Sequence, residues 1–115
     1  MKNQPFFRRA GFAWQGIFAA WRGESSLRTH LAATFGVVVV LATTRPAPLW
    51  WAVLLLTCAM VIAAELLNTA LEHALDLIHP EPHPTVRMAK DCGAGAVLVL
   101  SIGALAVFIA FLASR

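Results

Sequence analysis

Residues Glu65–Asp91 read ELLNTALEHALDLIHPEPHPTVRMAKD. They follow Leu49–Ala64, an apolar run without a charge, and no turn residue separates the two. A helix continuing out of that run carries Glu65, Asn68, Thr69, Glu72, Asp76 and His79. At about 100° per residue these positions fall within an arc of roughly 100°. One continuous helix therefore has an apolar side and a polar stripe that bears three carboxylates and an amide. Such groups are costly beside lipid and usually face a bundle interior or a water-filled site. The stripe reads as an active site at a membrane surface, with the rest of the chain holding it there.

Composition agrees with that setting. Of 115 residues, 59% are hydrophobic and only 13% are charged, and the mean hydropathy is +0.71. Soluble domains carry about 25% charged residues, so an ordinary soluble fold is excluded. The length suits one small domain, residues 1–115. Cys58 and Cys92 lie in or beside apolar runs and are expected to be buried small hydrophobes rather than a disulfide or a metal pair. No cleavage-type pattern follows a short apolar core at the N-terminus, so no secretory signal is expected.

Working outward, the first segment is basic and aromatic. Phe7, Ala10, Trp14, Ile17, Phe18 and Trp21 recur at three- and four-residue steps, with Arg8, Arg9, Gln15 and Arg22 largely off that stripe. This predicts an amphipathic helix over 6–23, lying in the membrane interface with its tryptophans at headgroup level. Gly23 is expected to end it, and Ser25 and Ser26 to start the next helix. A first span is predicted over 27–44, with Arg28 and His30 snorkelling toward the headgroups. Pro46 and Pro48 close it with a tight connection. The second span is expected over 49–78, about 45 Å at ~1.5 Å per residue, longer than a bilayer core. If Trp50 and Trp51 mark the far interface, Glu65 lies at the inner edge of the lipid, with Glu72 and Asp76 beyond it. The run His79–Pro84 then breaks the helix with three alternating prolines. Its extended form does not give the i, i+4 geometry of helical zinc ligands, which argues against a metal site at the histidines. A third span follows over 86–114, including the uncharged run Cys92–Ala113. Gly93, Gly95 and Gly103 on it suit close helix packing.

The positive charges set the topology. Lys2, Arg8, Arg9, Arg22 and Arg28 precede Leu31, and Arg87 and Lys90 lie in the loop after the second span. Only Arg45 and Arg115 fall on the other side. By the positive-inside tendency the N-terminus and the carboxylate stripe face the cytoplasm, where nucleotide triphosphates are available.

The residues themselves then supply a chemistry. Glu65, Asn68, Glu72 and Asp76 share one helix, Lys90 and Asp91 follow the loop, and Glu24 enters the same interface. Carboxylate oxygens together with substrate phosphates suit Mg²⁺. Lysine suits phosphate as a point charge, and a carboxylate can accept a proton from an attacking hydroxyl. These are parts for phosphoryl transfer, although the sequence has neither a P-loop nor a GxGxxG fingerprint. Structural hydrogen bonding between helices would account for Asn68 and Thr69 alone. A proton or cation pathway, as in a small oligomeric proton-coupled transporter, is the serious rival for Glu65.

At Glu65-x-x-Asn68-Thr69-Ala70-Leu71-Glu72-x-x-x-Asp76 the sequence resembles the small prokaryotic diacylglycerol kinases, a family that includes the undecaprenol kinases. Ala89-Lys90-Asp91 with Gly93–Leu98 is a second matching block, and Ala10–Gly16, Ala19–Trp21 and Glu24 form a third. The resemblance covers nearly the whole chain, with the blocks in the family's order and spacing. It implies an all-α integral membrane fold: an N-terminal interfacial amphipathic helix plus three transmembrane helices, assembled as a homotrimer with active sites shared between neighbouring chains. It implies transfer of the γ-phosphate of ATP to the hydroxyl of a membrane lipid at the bacterial cytoplasmic (inner) membrane.

By resemblance, Glu65 is the expected general base, with Asn68 beside it. Glu24 and Glu72 are the expected ligands of Mg²⁺ on the phosphates of ATP. Lys90 and Asp91 fall on the nucleotide side. Phe12 stands where some members have a tyrosine near the nucleotide. Trp14, Trp21 and Arg28, at headgroup level, are with Glu65 the expected contacts of the lipid. No nucleic acid is expected among the partners. For the lipid, Ala10–Trp21 looks more like diacylglycerol kinases of Gram-negative type. Ser26–His30 and Pro80–Pro84 look more like undecaprenol kinases.

Overall fold

In the computed structural model, which describes residues 3–115, the chain is a bundle of four helices. These are α1 (Phe6–Gly23), α2 (Ser25–Thr44), α3 (Pro48–Ile78) and α4 (Pro84–Ala113). The last three are long and apolar enough to cross a membrane. Helix α2 starts at Ser25, where the serines predict a start, and α4 at Pro84.

The breaks between helices have local causes. Glu24 has an extended backbone (φ −125°, ψ 112°) that separates α1 from α2. Arg28 donates from Nη1 to the carbonyl of Trp21 (3.1 Å), placing a cation on the exposed carbonyls that end α1. Arg45 closes α2 in the left-handed region at φ 49°, the conformation that commonly ends helices. Pro48 and Pro84 both stand in the first turn of the helix that follows, where a missing N–H costs no hydrogen bond. The proline-rich run thus ends α3 and starts α4. His83 caps α4, its Nδ1 accepting from the Thr85 N–H at 3.0 Å.

Helices α3 and α4 form an antiparallel hairpin with the largest contact in the chain; α2 lies against α3, and α1 touches α2 and α3 lightly. The hydrophobic core lies at the end of the bundle that holds the α2–α3 turn. There Leu41, Leu54 and Phe111 are sealed from solvent, with Trp50 edge-on to Phe111 at 5.4 Å between ring centroids. Trp50 and Trp51 are half-buried and pack against this core. Arg115 ties the same end together, donating to the Thr44 carbonyl at 2.8 Å.

Both cysteines are free thiols; where the sequence predicts burial, Cys58 is half-buried and Cys92 exposed on the single chain. A narrow bundle of this kind cannot cover all faces of its helices, and many large apolar side chains on α2, α3 and α4 are likewise open. His79 also leaves the stripe. Helix α3 ends at Ile78, and His79 turns into the loop, its Nδ1 2.9 Å from the Glu81 carbonyl oxygen.

Candidate active site

One cavity collects three of the six acidic residues. Glu24, His30, Glu65, Asn68, Glu72 and Ser101 line it, at the end of the bundle opposite the Leu41–Leu54–Phe111 core. Each arrives for a definable reason. Glu65 and Glu72 lie two helical turns apart on α3, which puts them on one face. Asn68 lies between them, its Nδ2 donating to Glu72 Oε1 at 3.4 Å. Glu24 occupies the N-cap position of α2, yet its side chain makes no capping hydrogen bond, so its carboxylate is available to the cavity.

Glu65 is the buried member, 7% exposed. An uncompensated buried carboxylate is costly. His30 supplies the compensation from α2, with Nε2 3.2 Å from Glu65 Oε1. Its place near the start of α2 predicts snorkelling for His30, but the structure turns it inward. Ser101, on α4, is a second residue that sequence reading did not single out. Its hydroxyl is buried and, among the described residues, has no hydrogen-bond partner; the same holds for Asn68 Oδ1.

The other expected site residues stand elsewhere on the chain. Lys90 reaches across the α3–α4 hairpin to Asp76, Nζ to Oδ1 at 2.5 Å. Asp91 pairs with Arg87 one turn earlier on α4, at 3.6 Å. Phe12, Trp14 and Trp21 are exposed along α1, and Arg28 is engaged with the end of that helix. The stripe therefore divides: Glu65, Asn68 and Glu72 face the acidic cavity, Asp76 faces Lys90, and His79 joins the loop.

The donor set fits a hard cation. Glu24 and Glu72 line the same cavity, and among the described residues neither has a cationic partner. Among the described residues no group of three or more His, Cys, Asp or Glu side chains is placed to hold a metal ion by itself. Two carboxylates with positions left for phosphate oxygens and water are what Mg²⁺ commonly uses in nucleotide sites.

The chain matches the family of prokaryotic diacylglycerol kinases over residues 11–112. It is 35% identical over 97 residues to the undecaprenol kinase of Bacillus subtilis (strain 168), spanning 84% of this chain and 79% of the relative. It is 33% identical over 95 residues to the diacylglycerol kinase of Escherichia coli (strain K12), spanning 83% of this chain and 78% of the relative. The diacylglycerol kinase of Synechocystis is 37% identical over 97 residues, which span 84% of this chain and 55% of that longer protein. With three apolar helices of spanning length and a match over almost its whole length, the chain is a multi-pass bacterial membrane protein and belongs to the prokaryotic diacylglycerol kinase family, a family of lipid kinases.

Proposed function

We propose that the protein is an ATP- and Mg²⁺-dependent kinase that phosphorylates the hydroxyl of a membrane lipid. Diacylglycerol is the first substrate, giving phosphatidate and ADP. The observation that carries the reading is the cavity that a buried Glu65 shares with Glu24 and Glu72, two carboxylates with no cationic partner among the described residues. Glu65 accepts the proton of the lipid hydroxyl. The hydroxyl oxygen bonds to the γ-phosphorus, and the bond from that phosphorus to the bridging oxygen breaks, its electron pair leaving with ADP. Mg²⁺, when bound, neutralises the charge that develops on the phosphates. Glu24 and Glu72 would hold it. Asn68 orients Glu72, and Lys90 and Asp91 serve the nucleotide. Trp14, Trp21 and Arg28 belong to the headgroup layer through which the lipid approaches, and Phe12 to the nucleotide side.

In this reading α1 lies in the membrane interface. The N-terminus and the acidic cavity face the cytoplasm, and the chain works as a homotrimer in the inner membrane. Exposed aromatic residues on α1, among them Phe7, Trp14 and Phe18, support interfacial placement. Open space over Gly95 and Gly103 leaves room for a neighbouring helix.

Undecaprenol is the second candidate substrate. It is favoured by His30 on Glu65, since His30 belongs to the segment that looks like undecaprenol kinases, and by the Bacillus subtilis relative of that name. The deciding experiment is ATP turnover by purified protein in mixed micelles with diacylglycerol and undecaprenol side by side. Phosphorylation of either lipid supports the kinase reading, and the faster substrate names the lipid. Turnover of neither, with proton flux in vesicles, would favour the transporter.

A further inference from the structure

We infer that His30 is a positioning residue for Glu65, holding one carboxylate oxygen so that the other meets the lipid hydroxyl. The inference rests on the reading of Glu65 as proton acceptor. Glu65 and His30 belong to different helices, α3 and α2, so their 3.2 Å contact fixes the carboxylate by tertiary structure rather than by local backbone. The contact takes Oε1; among the described residues Oε2 has no hydrogen-bond or ion-pair partner.

The place of the pair in the molecule supports the assignment. His30 and Ser101 line the acidic cavity and also an apolar groove between α2, α3 and α4 that passes Val37, Val40 and Leu54. His30 thus stands where the acidic site opens toward the hydrocarbon side, while Glu24 and Glu72 line only the acidic cavity of these two. The side chain of Glu65 is 9% exposed against 26% for His30, so the imidazole is the more open of the two. A carboxylate free to rotate would seldom aim its free oxygen at a hydroxyl. Misplacement of a catalytic group by about 1 Å can cost on the order of a hundredfold in rate.

The test uses the full-length protein in mixed micelles with diacylglycerol and MgATP. His30→Leu should lower kcat by roughly ten- to a hundredfold, with KM for MgATP unchanged, because the nucleotide side is untouched. His30→Gln keeps an N–H donor near the position of Nε2 and should recover most of that loss. In a Glu65→Gln background His30→Leu should cost nothing further, since the carboxylate it positions is gone. Should His30→Leu fail to fold, His30→Asn replaces it, keeping a donor that falls short of Glu65. Wild-type kcat in His30→Leu, or equal losses in His30→Leu and His30→Gln, would overturn the inference. Wild-type turnover in Glu65→Gln alone would instead overturn the assignment of the base.

Discussion

Gly93 on α4 packs against Asn68 on α3 with no room for a methyl group between them. A Cβ at Gly93 would also meet Leu71 Cδ2 at 3.2 Å. Both obstructing atoms are the far ends of side chains, so they can move. The same Asn68 amide donates to Glu72, so displacing it is expected to disturb that hydrogen bond. Gly93→Ala is therefore expected to cost activity more than stability. The Tm in detergent should fall by less than full overpacking of a rigid core, about 1–3 kcal/mol, would produce. Lipid phosphorylation should drop roughly tenfold, because Glu72 loses its orienting partner. Thermal unfolding and turnover of the same preparation check this; unchanged turnover would detach Asn68 from the site.

The Lys90–Asp76 pair makes a different prediction. Its side chains are 32% and 60% exposed, and exposed ion pairs contribute about 0–1 kcal/mol. The pair thus contributes little to folding, which leaves Lys90 available to a phosphate. Lys90→Met should raise KM for MgATP about tenfold or more while leaving the Tm nearly unchanged. Nucleotide titration and thermal unfolding separate the roles. A large fall in Tm with KM unaltered would make Lys90 a structural residue.

Much of this arrangement was legible in the sequence, and the remainder is tertiary. The apolar runs and the paired prolines announce α2, α3 and α4, because hydropathy and the missing N–H of proline act locally. Periodicity on α3 placed Glu65, Asn68 and Glu72 on one face, and one cavity receives them. The same periodicity could not reveal that Asp76 would turn to Lys90. The clue was the hairpin: the two residues lie at equal distances from His83, and such positions meet across antiparallel helices. His30 lies near one end of its helix, a position that predicts snorkelling. Its contact with Glu65 depends on how α2 rotates against α3, which no single-helix pattern specifies. Ser101 gave no signal, since a serine in an apolar helix usually bonds to its own backbone.

Assembly is tested at Gly95. A side chain there meets nothing within the single chain, unlike at Gly93. Gly95→Leu should therefore leave the protomer fold intact and weaken the proposed trimer, because a large residue keeps a neighbouring helix from close approach. Crosslinking in detergent reads the trimer, and circular dichroism reads the fold. An unchanged trimer would remove Gly95 from the interface.

The central claim is a division of labour between two glutamates on one face of α3. Glu65 is buried and paired with His30; Glu72 lies about 10 Å farther along the helix at ~1.5 Å per residue, half-buried beside Asn68. The most direct measurement is MgATP binding set beside lipid phosphorylation for Glu65→Gln and Glu72→Gln. The account predicts that Glu65→Gln binds MgATP as the wild type does and loses turnover, having no carboxylate to take the proton. Glu72→Gln should need more Mg²⁺ and lose MgATP binding itself, since an oxygen ligand is gone. Retention of most turnover by Glu65→Gln, or a wild-type Mg²⁺ titration for Glu72→Gln, would contradict it.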